Sequence, residues 1–202
     1  EALNKQGFNI VKVMNPDSET LEDAFKDFIN KYGYVKHNRL LFFYSGHGYT
    51  RSEGKKGYLV PVDAPDPNDD DMGFVQKAMN MSQILTWARR IEAKHALFLF
   101  DSCFSGTIFK TKSKAIPKHI SHITSRPVRQ FISAGSAGEE VPAKSVFVSS
   151  FIRGLEGEAD IDKDGYITGT EMGSYLYKKV LYYDTGQTPQ YGKIRDPELD
   201  EG

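Results

Sequence analysis

The sequence predicts an α/β fold, a three-layer α/β/α sandwich whose central sheet is mostly parallel. Residues 40–43 and 96–100 are unbroken apolar runs, which are typical of strands buried on both faces of a parallel sheet. Segments with helical periodicity alternate with such runs, which is the pattern of α/β proteins. Each run leads directly into a polar cluster containing glycine, so we expect both clusters at the carboxyl edge of the sheet, where α/β proteins place their sites.

The elements of the first half follow from local signals. Residues 8–13 have the composition of a strand, and Asn15-Pro16-Asp17-Ser18 is a helix-start signal. Apolar side chains then recur at helical spacing until Gly33 ends the helix. After the strand at 40–43, residues 57–62 predict a short strand, and residues 63–73 an acidic loop with prolines. Ser82 is in position to cap the helix that precedes the strand at 96–100.

The second half begins with residues 107–126, which are rich in lysine, serine and threonine and predict an exposed loop. Residues 128–133 predict a strand, and residues 146–157 and 170–183 predict helices. From Asp184 the chain is polar, and we expect it to follow the surface or fray.

Composition excludes several classes of function. The chain has 202 residues, 39% of them hydrophobic, which suits one domain with a sizeable core. Its formal net charge of −1 favours neither nucleic acid nor a membrane surface, and no apolar run approaches the length of a membrane span. The single cysteine excludes an internal disulfide and a cysteine-based zinc site, and it predicts a reducing, cytoplasmic compartment.

The two polar clusters carry a histidine and this cysteine. Residues 44–48 are Tyr-Ser-Gly-His-Gly, and residues 101–106 are Asp-Ser-Cys-Phe-Ser-Gly. A base and a thiol at neighbouring strand ends form a Cys-His nucleophilic dyad, because the thiol needs a base or a positive field to ionise near neutrality. The alternatives are a small buried cysteine and a histidine that occupies a turn.

These two motifs resemble the histidine and cysteine motifs of the caspase-like peptidases, most closely the metacaspase and prokaryotic orthocaspase branch. The resemblance covers nearly the whole chain and implies a single caspase-like peptidase domain over residues 1–202. It implies a part like the large subunit at 1–106, a linker at 107–126 and a part like the small subunit at 127–202. It also implies hydrolysis of protein or peptide substrates, with His47 as general base and acid and Cys103 as nucleophile. The amides of Gly48 and Cys103 would form the oxyanion hole.

The resemblance also implies the substrate preference. Asp101 and Ser45 each lie two residues before a dyad member, and the matching pair lines the first specificity pocket of metacaspases. An acidic pocket attracts arginine or lysine, so we expect cleavage after basic residues. The alternative is that Asp101 only caps the following turn.

One feature departs from the family pattern. The family's sheet begins with an earlier strand and a helix, whereas residues 1–8 resemble the end of that first helix. We therefore expect a preceding segment of the same domain, either cleaved and retained or left out, as a partner that supplies the first strand.

The basic loop at 107–126 suggests self-cleavage by an enzyme with basic specificity, with a simple solvated loop as the alternative. The candidate positions are Lys110, Lys112, Lys114, Lys118 and Arg126.

Residues 160–171 match the calcium loop of an EF-hand position by position. The predicted ligands of Ca²⁺ are Asp160, Asp162, Asp164, Tyr166, Thr168 and Glu171. The alternative is a structural cap without metal. A second acidic site at Asp63, Asp66 and 69–71 has no clear ligand spacing, and a solvated acidic loop is the favoured interpretation there.

Three functions therefore remain open from the sequence. The first is a cysteine endopeptidase that prefers basic residues. The second is a peptidase of the same clan with another specificity. The third is an inactive caspase-like module that binds calcium and a partner. Serine hydrolase chemistry is disfavoured, because no Gly-x-Ser-x-Gly elbow follows a strand.

Overall fold

The computed structural model describes residues 1–52, 56–102, 125–136, 139, 145–184 and 186–200. In chain order its elements are α1 (Ala2–Lys5), α2 (Ser18–Phe28), β1 (Arg39–Ser45), β2 (Gly48–Arg51), β3 (Lys56–Leu59), α3 (Asp71–Lys77), β4 (Met79–Asn80), α4 (Met81–Arg90), β5 (His95–Asp101), β6 (Val128–Ser133), α5 (Val146–Arg153), α6 (Gly169–Tyr183) and β7 (Gln190–Lys193). Single π-helical turns, Ile29–Gly33 and Gly154–Glu158, extend α2 and α5.

The central sheet has the strand order β1-β5-β6-β7. Strands β1, β5 and β6 are parallel, and β7 is antiparallel to β6. A small antiparallel sheet, β2-β3-β4, lies beyond the carboxyl end of β1. The predicted α/β fold with a mostly parallel sheet is confirmed, and β1 and β5 run in register as far as the pair Ser45 and Asp101.

Helices cover both faces of the sheet. One face, here called the α4 face, packs against α2 and α4 through a core that includes Leu40, Phe42 and Phe98. The other face, here called the α6 face, packs against α5 and α6 through a core that includes Leu99 and Ile132. Because successive side chains of a strand point to opposite faces, Ser45 and Asp101 belong to the α6 face.

A row of aromatic rings crosses the α4 face. Phe42, Phe98 and Phe131 are register partners on three neighbouring strands. The rings of Phe42 and Phe98 stack with centroids 4.4 Å apart, and those of Phe98 and Phe131 stack at 4.8 Å. This row joins the two strands that lead into the polar clusters.

Replacing Phe98 with alanine is expected to lower the free energy of unfolding by about 3 kcal/mol, because the ring is fully buried and leaves a cavity between two stacked neighbours. Urea denaturation measures the change. Phe43→Ala is the matched control, since that ring is 46% exposed and its loss should cost less than half as much. Equal losses at the two positions would contradict the account of the aromatic row.

Buried Arg129 fixes the connection between α4 and β5. Its side chain is 1% exposed, and burial lowers the pKa of Arg129 to about 10. The guanidinium donates to four backbone carbonyls, those of Ala88, Ile91, Lys94 and Val128. The bonds to Ala88 and Ile91 satisfy carbonyls at the end of α4, which have no partner within the helix.

The structure corrects the prediction of a strand at residues 8–13. This segment has no regular secondary structure and belongs to neither sheet, and Ile10 and Val11 are 49% and 58% exposed. Before it, Leu3 of α1 packs on the α6 face, and after it α2 packs on the α4 face. The segment therefore carries the chain from one face to the other, and its apolar composition does not give it a pairing partner in the described part of the chain.

Two further predictions need correction. The polar tail contains a strand, β7, whose pairing with β6 depends on backbone hydrogen bonds rather than on an apolar pattern. Just after β7, Ile194 is 2% exposed. The cap of α4 is Asn80 rather than Ser82, because the Asn80 side chain accepts a hydrogen bond from the Ser82 amide at 2.8 Å.

Candidate active site

The two polar clusters meet at one edge of the sheet. The last residues of β1 and β5, Ser45 and Asp101, are register partners, and the Gly46 amide donates to the Asp101 carbonyl at 3.4 Å. His47 therefore follows β1 directly at the carboxyl edge, where its side chain is exposed. Cys103 lies outside the described residues, two positions after Asp101.

The backbone around His47 is held by Tyr44. The Tyr44 hydroxyl donates towards the His47 carbonyl at 2.9 Å and the Val60 carbonyl at 3.1 Å, and the Val60 amide donates to the His47 carbonyl at 3.0 Å. Burial raises the pKa of Tyr44 to about 12, so its hydroxyl remains a donor. A Cβ on Gly46 would lie 2.8 Å from this hydroxyl oxygen, which explains the glycine before His47.

Asp101 is a buried carboxylate at the end of β5, two positions before Cys103. The residue is 8% exposed, and the Ser45 hydroxyl lies 3.3 Å from its Oδ2. Burial raises the pKa of Asp101, while hydrogen bonds with the hydroxyls of Ser145 and Ser45 act in the opposite direction. Its other oxygen, Oδ1, is buried and has no hydrogen-bond partner among the described residues. A buried carboxylate oxygen without a partner is costly, so this position suits a cationic group from a ligand.

A second loop at the same edge is fixed by Glu139. Its carboxylate accepts hydrogen bonds from the Ser136 amide at 2.8 Å, the Thr188 amide at 2.8 Å and the Thr188 hydroxyl at 2.6 Å. Although burial acts to raise the pKa of Glu139, the hydrogen bonds with Thr188 and Ser136 outweigh it and lower the pKa. Glu139 thus ties the loop after β6 to the loop before β7. Sequence reasoning did not identify this contact, since its two sides are 49 residues apart.

A comparison with protein families identifies the family of this chain. A family model described as "Caspase domain" matches residues 1–177. The chain belongs to the caspase-domain family. Caspase domains are cysteine peptidases in general, so the family implies peptidase chemistry and protein substrates for this chain. A comparison with curated proteins found no match.

In this caspase-domain chain the three aspartates of the EF-hand-like loop lie together. Asp160, Asp162 and Asp164 each offer a carboxylate oxygen within 4.8 Å of the others. Gly165 has φ +87°, which explains the glycine at the sixth loop position. Partial desolvation and the charges of Asp164, Glu171 and Asp160 raise the pKa of Asp162. Hard carboxylate oxygens at this spacing fit Ca²⁺.

Glu171, the twelfth residue of the loop, has a structural role. Its side chain is buried and accepts hydrogen bonds from the Thr168 amide, the Thr168 hydroxyl and the Ile161 amide. With Thr168 it forms the capping box of α6. Glu171 is outside the aspartate group, and Tyr166 contributes a backbone amide bond to Asp164. Of the six predicted calcium ligands, the structure therefore groups only the three aspartates.

The acidic segment 63–73 forms hydrogen bonds and ion pairs within the protein. Asp63 accepts from Ser18 and pairs with Lys77 at 2.8 Å, and Asp71 pairs with Arg51. Asp70 caps α3. Among the residues that the structure describes, these carboxylates form no metal-binding group.

The candidate self-cleavage positions Lys110, Lys112, Lys114 and Lys118 lie outside the described residues. Arg126 is described, and it precedes β6 at the amino edge of the sheet, where its backbone bonds with His95. Strands of six or seven residues separate that edge from His47 by roughly 20 Å. Arg126 therefore lies at the edge of the sheet opposite to His47.

Within the described ranges, none of the helices has the length and apolar character that a membrane span requires.

Proposed function

We propose that this caspase-domain chain is a cysteine endopeptidase that cleaves after arginine or lysine. The observation that supports it best is the buried carboxylate of Asp101, two positions before Cys103. Its Oδ1 has no partner among the described residues, and its Oδ2 lies 3.3 Å from the Ser45 hydroxyl. The preference for basic residues favours the metacaspase and orthocaspase branch. Animal caspases instead present arginines to an aspartate side chain.

The proposed mechanism uses His47 and Cys103. The Cys103 sulfur attacks the scissile carbonyl carbon as His47 takes the thiol proton, and the carbonyl oxygen becomes an oxyanion. The amides of Gly48 and Cys103 stabilise that oxyanion, an effect worth about 3 kcal/mol per donor in enzymes of this kind. His47 then gives the proton to the leaving amine as the carbon–nitrogen bond breaks. Water, deprotonated by His47, hydrolyses the thioester and restores the thiol.

Asp101 provides the specificity in this proposal. A substrate arginine that enters from the α6 face gives the buried Oδ1 a hydrogen-bond donor and gives the carboxylate a counter-charge. A guanidinium offers two parallel N–H groups, so arginine should be preferred to lysine. An aspartate side chain in the same place would leave two carboxylates facing each other.

The test is a panel of fluorogenic peptides that end in arginine, lysine, asparagine or aspartate. We expect turnover in the order arginine, lysine, then the other two. Cleavage after asparagine or aspartate alone would favour the same-clan enzyme with another specificity. Failure to cleave any member would favour the alternative of an inactive caspase-like module.

We also propose that the aspartate group binds Ca²⁺ and stabilises α6 through the adjoining capping box. Calorimetric titration should show one bound Ca²⁺, and Asp162→Asn should weaken the affinity at least tenfold, since ligand charge sets affinity in such loops. Asp23→Asn, an exposed position on α2, is the charge-matched control. Affinity that is unaffected by Asp162→Asn, or no binding at all, would favour a cap without metal. Whether Ca²⁺ activates hydrolysis is measured with and without chelator.

Self-processing in the linker 107–126 is the third part of the proposal. It would divide the chain into the parts 1–106 and 127–202 that the resemblance implies. Intact-mass spectrometry after long incubation should show cuts after Lys110, Lys112, Lys114 or Lys118 and none after Arg126, which lies at the other edge of the sheet. The Cys103→Ala variant should stay intact. An intact linker in active enzyme would refute self-processing.

The near-neutral charge and the single cysteine support protein or peptide substrates rather than nucleic-acid or membrane partners, and a cytoplasmic location. Fractionation of cells that produce the chain tests the location.

A further inference from the structure

A cavity of about 270 Å³ adjoins His47 on the side of the small sheet. His47 and Gly48 form one wall, and Tyr49, Val60, Ala64 and Phe74 line it with apolar surface. The ring of Tyr49 meets the buried ring of Phe74 edge-on, with centroids 5.1 Å apart, so this part of the lining is firmly packed. The mechanism above does not use this cavity.

Asp101 and the small sheet that lines the cavity are attached to opposite faces of the central sheet. Asp101 belongs to the α6 face, as its register partner Ser45 does. The small sheet packs on the α4 face, because Leu59 of β3 and Met79 of β4 join the core there. A peptide whose basic side chain contacts Asp101 can therefore reach the cavity by crossing the edge of the sheet at His47, which lines that cavity.

We infer that this cavity is the subsite for an apolar side chain on the leaving-group side of the scissile bond. The inference rests on the proposed function, in which His47 gives its proton to the leaving amine and so lies next to the residues that follow the cut. The volume of this cavity is below the roughly 300 Å³ at which sites for whole small molecules begin, so it suits a side chain rather than a whole small molecule.

The buried lining of the cavity favours an apolar occupant. Asp66 Oδ1 accepts hydrogen bonds from the Asn68 amide at 2.8 Å and the Asn68 side chain at 2.9 Å. Asn68 thus occupies one oxygen of the Asp66 carboxylate, and Asp66 is exposed to water, unlike the buried Oδ1 of Asp101. The buried part of the lining is apolar, with Phe74 fully buried, so burial of apolar surface would supply the selectivity.

The experiment measures peptide affinity for the Cys103→Ala chain by calorimetry, so that binding is read without cleavage. Three peptides carry the same sequence up to an arginine, followed by Gly-Gly, Leu-Gly or Gly-Leu. We expect one leucine peptide to bind about tenfold more tightly than the Gly-Gly peptide, the gain expected from burying most of a leucine side chain.

Two further variants localise the effect. Ala64→Phe, added to Cys103→Ala, fills the cavity and should bring the affinity ratio to within twofold of unity. Val62→Phe makes the same kind of change two residues away, at a side chain 66% exposed, and should keep the ratio. Equal affinity for all three peptides, binding of none, or a ratio that Ala64→Phe leaves intact would overturn the inference. Turnover of the same peptides by the unsubstituted chain tests the proposed peptidase activity separately.

Discussion

Cys103→Ala should lower turnover of an arginine peptide by roughly four orders of magnitude or more, as loss of a catalytic nucleophile does in other hydrolases. No other cysteine is present to replace the thiol. His47→Ala should cost nearly as much, because an unassisted thiol with a pKa of about 8.5 is largely protonated near neutral pH. The double variant should be little worse than either single variant, since the two residues act as a unit. Steady-state assays with the arginine peptide measure all three variants.

His37→Ala is the matched control for the histidine. His37 is also exposed, but it precedes β1 and so lies at the amino edge of the sheet. Its removal should leave turnover unchanged. Residual activity of Cys103→Ala within tenfold of the unsubstituted chain would show that another group performs the chemistry.

Asp101→Asn should lower kcat/KM for the arginine peptide by about a thousandfold, since removing one partner of a buried charge pair costs roughly 2–5 kcal/mol. The substitution keeps the size of the side chain, so the Ser45 contact and the fold should survive. The same assays on an asparagine-ended peptide should show little change, which separates lost charge from lost structure. Asp69→Asn, an exposed carboxylate in the acidic loop, is the charge-matched control.

The pH dependence of KM provides a second test of the role of Asp101. Burial raises the pKa of Asp101 above its ordinary value, so the carboxylate takes up a proton at a higher pH than an exposed aspartate does. Only the ionised form attracts a guanidinium. KM for the arginine peptide should therefore stay low above the raised pKa and rise as pH falls through it, and Asp101→Asn should remove that rise. A thousandfold loss without any change in the pH profile would argue for a structural role of Asp101.

The parts of the fold that the sequence predicts best are those with a strong local signal. The apolar runs at 40–43 and 96–100 became β1 and β5, and their parallel pairing follows from the rules of α/β sheets. Residues 128–133 were also predicted with the bounds of β6. At residues 8–13 the same kind of composition failed, because a strand also needs a neighbour to accept its backbone hydrogen bonds.

The candidate site likewise combines features that the sequence indicates with features that it does not. The family resemblance led us to expect Ser45 and Asp101 side by side, and the structure places the Ser45 hydroxyl 3.3 Å from Asp101 Oδ2. Two other contacts join distant segments, and no local sequence pattern predicts them. They are the contact of Tyr44 with the Val60 carbonyl and that of Glu139 with Thr188. The cavity beside His47 was missed for that reason, since it forms only when the acidic loop folds over the small sheet.

Active-site labelling tests the central claim most directly. The chain is treated with a peptidyl chloromethyl ketone ending in arginine or with one ending in aspartate, and the modified residue and the rate are determined by peptide-mapping mass spectrometry. We expect Cys103 to be the alkylated residue, at a rate at least a hundredfold higher with the arginine reagent, because Asp101 holds the cationic side chain beside the thiol. Equal rates with both reagents, or labelling that misses Cys103, would contradict the account.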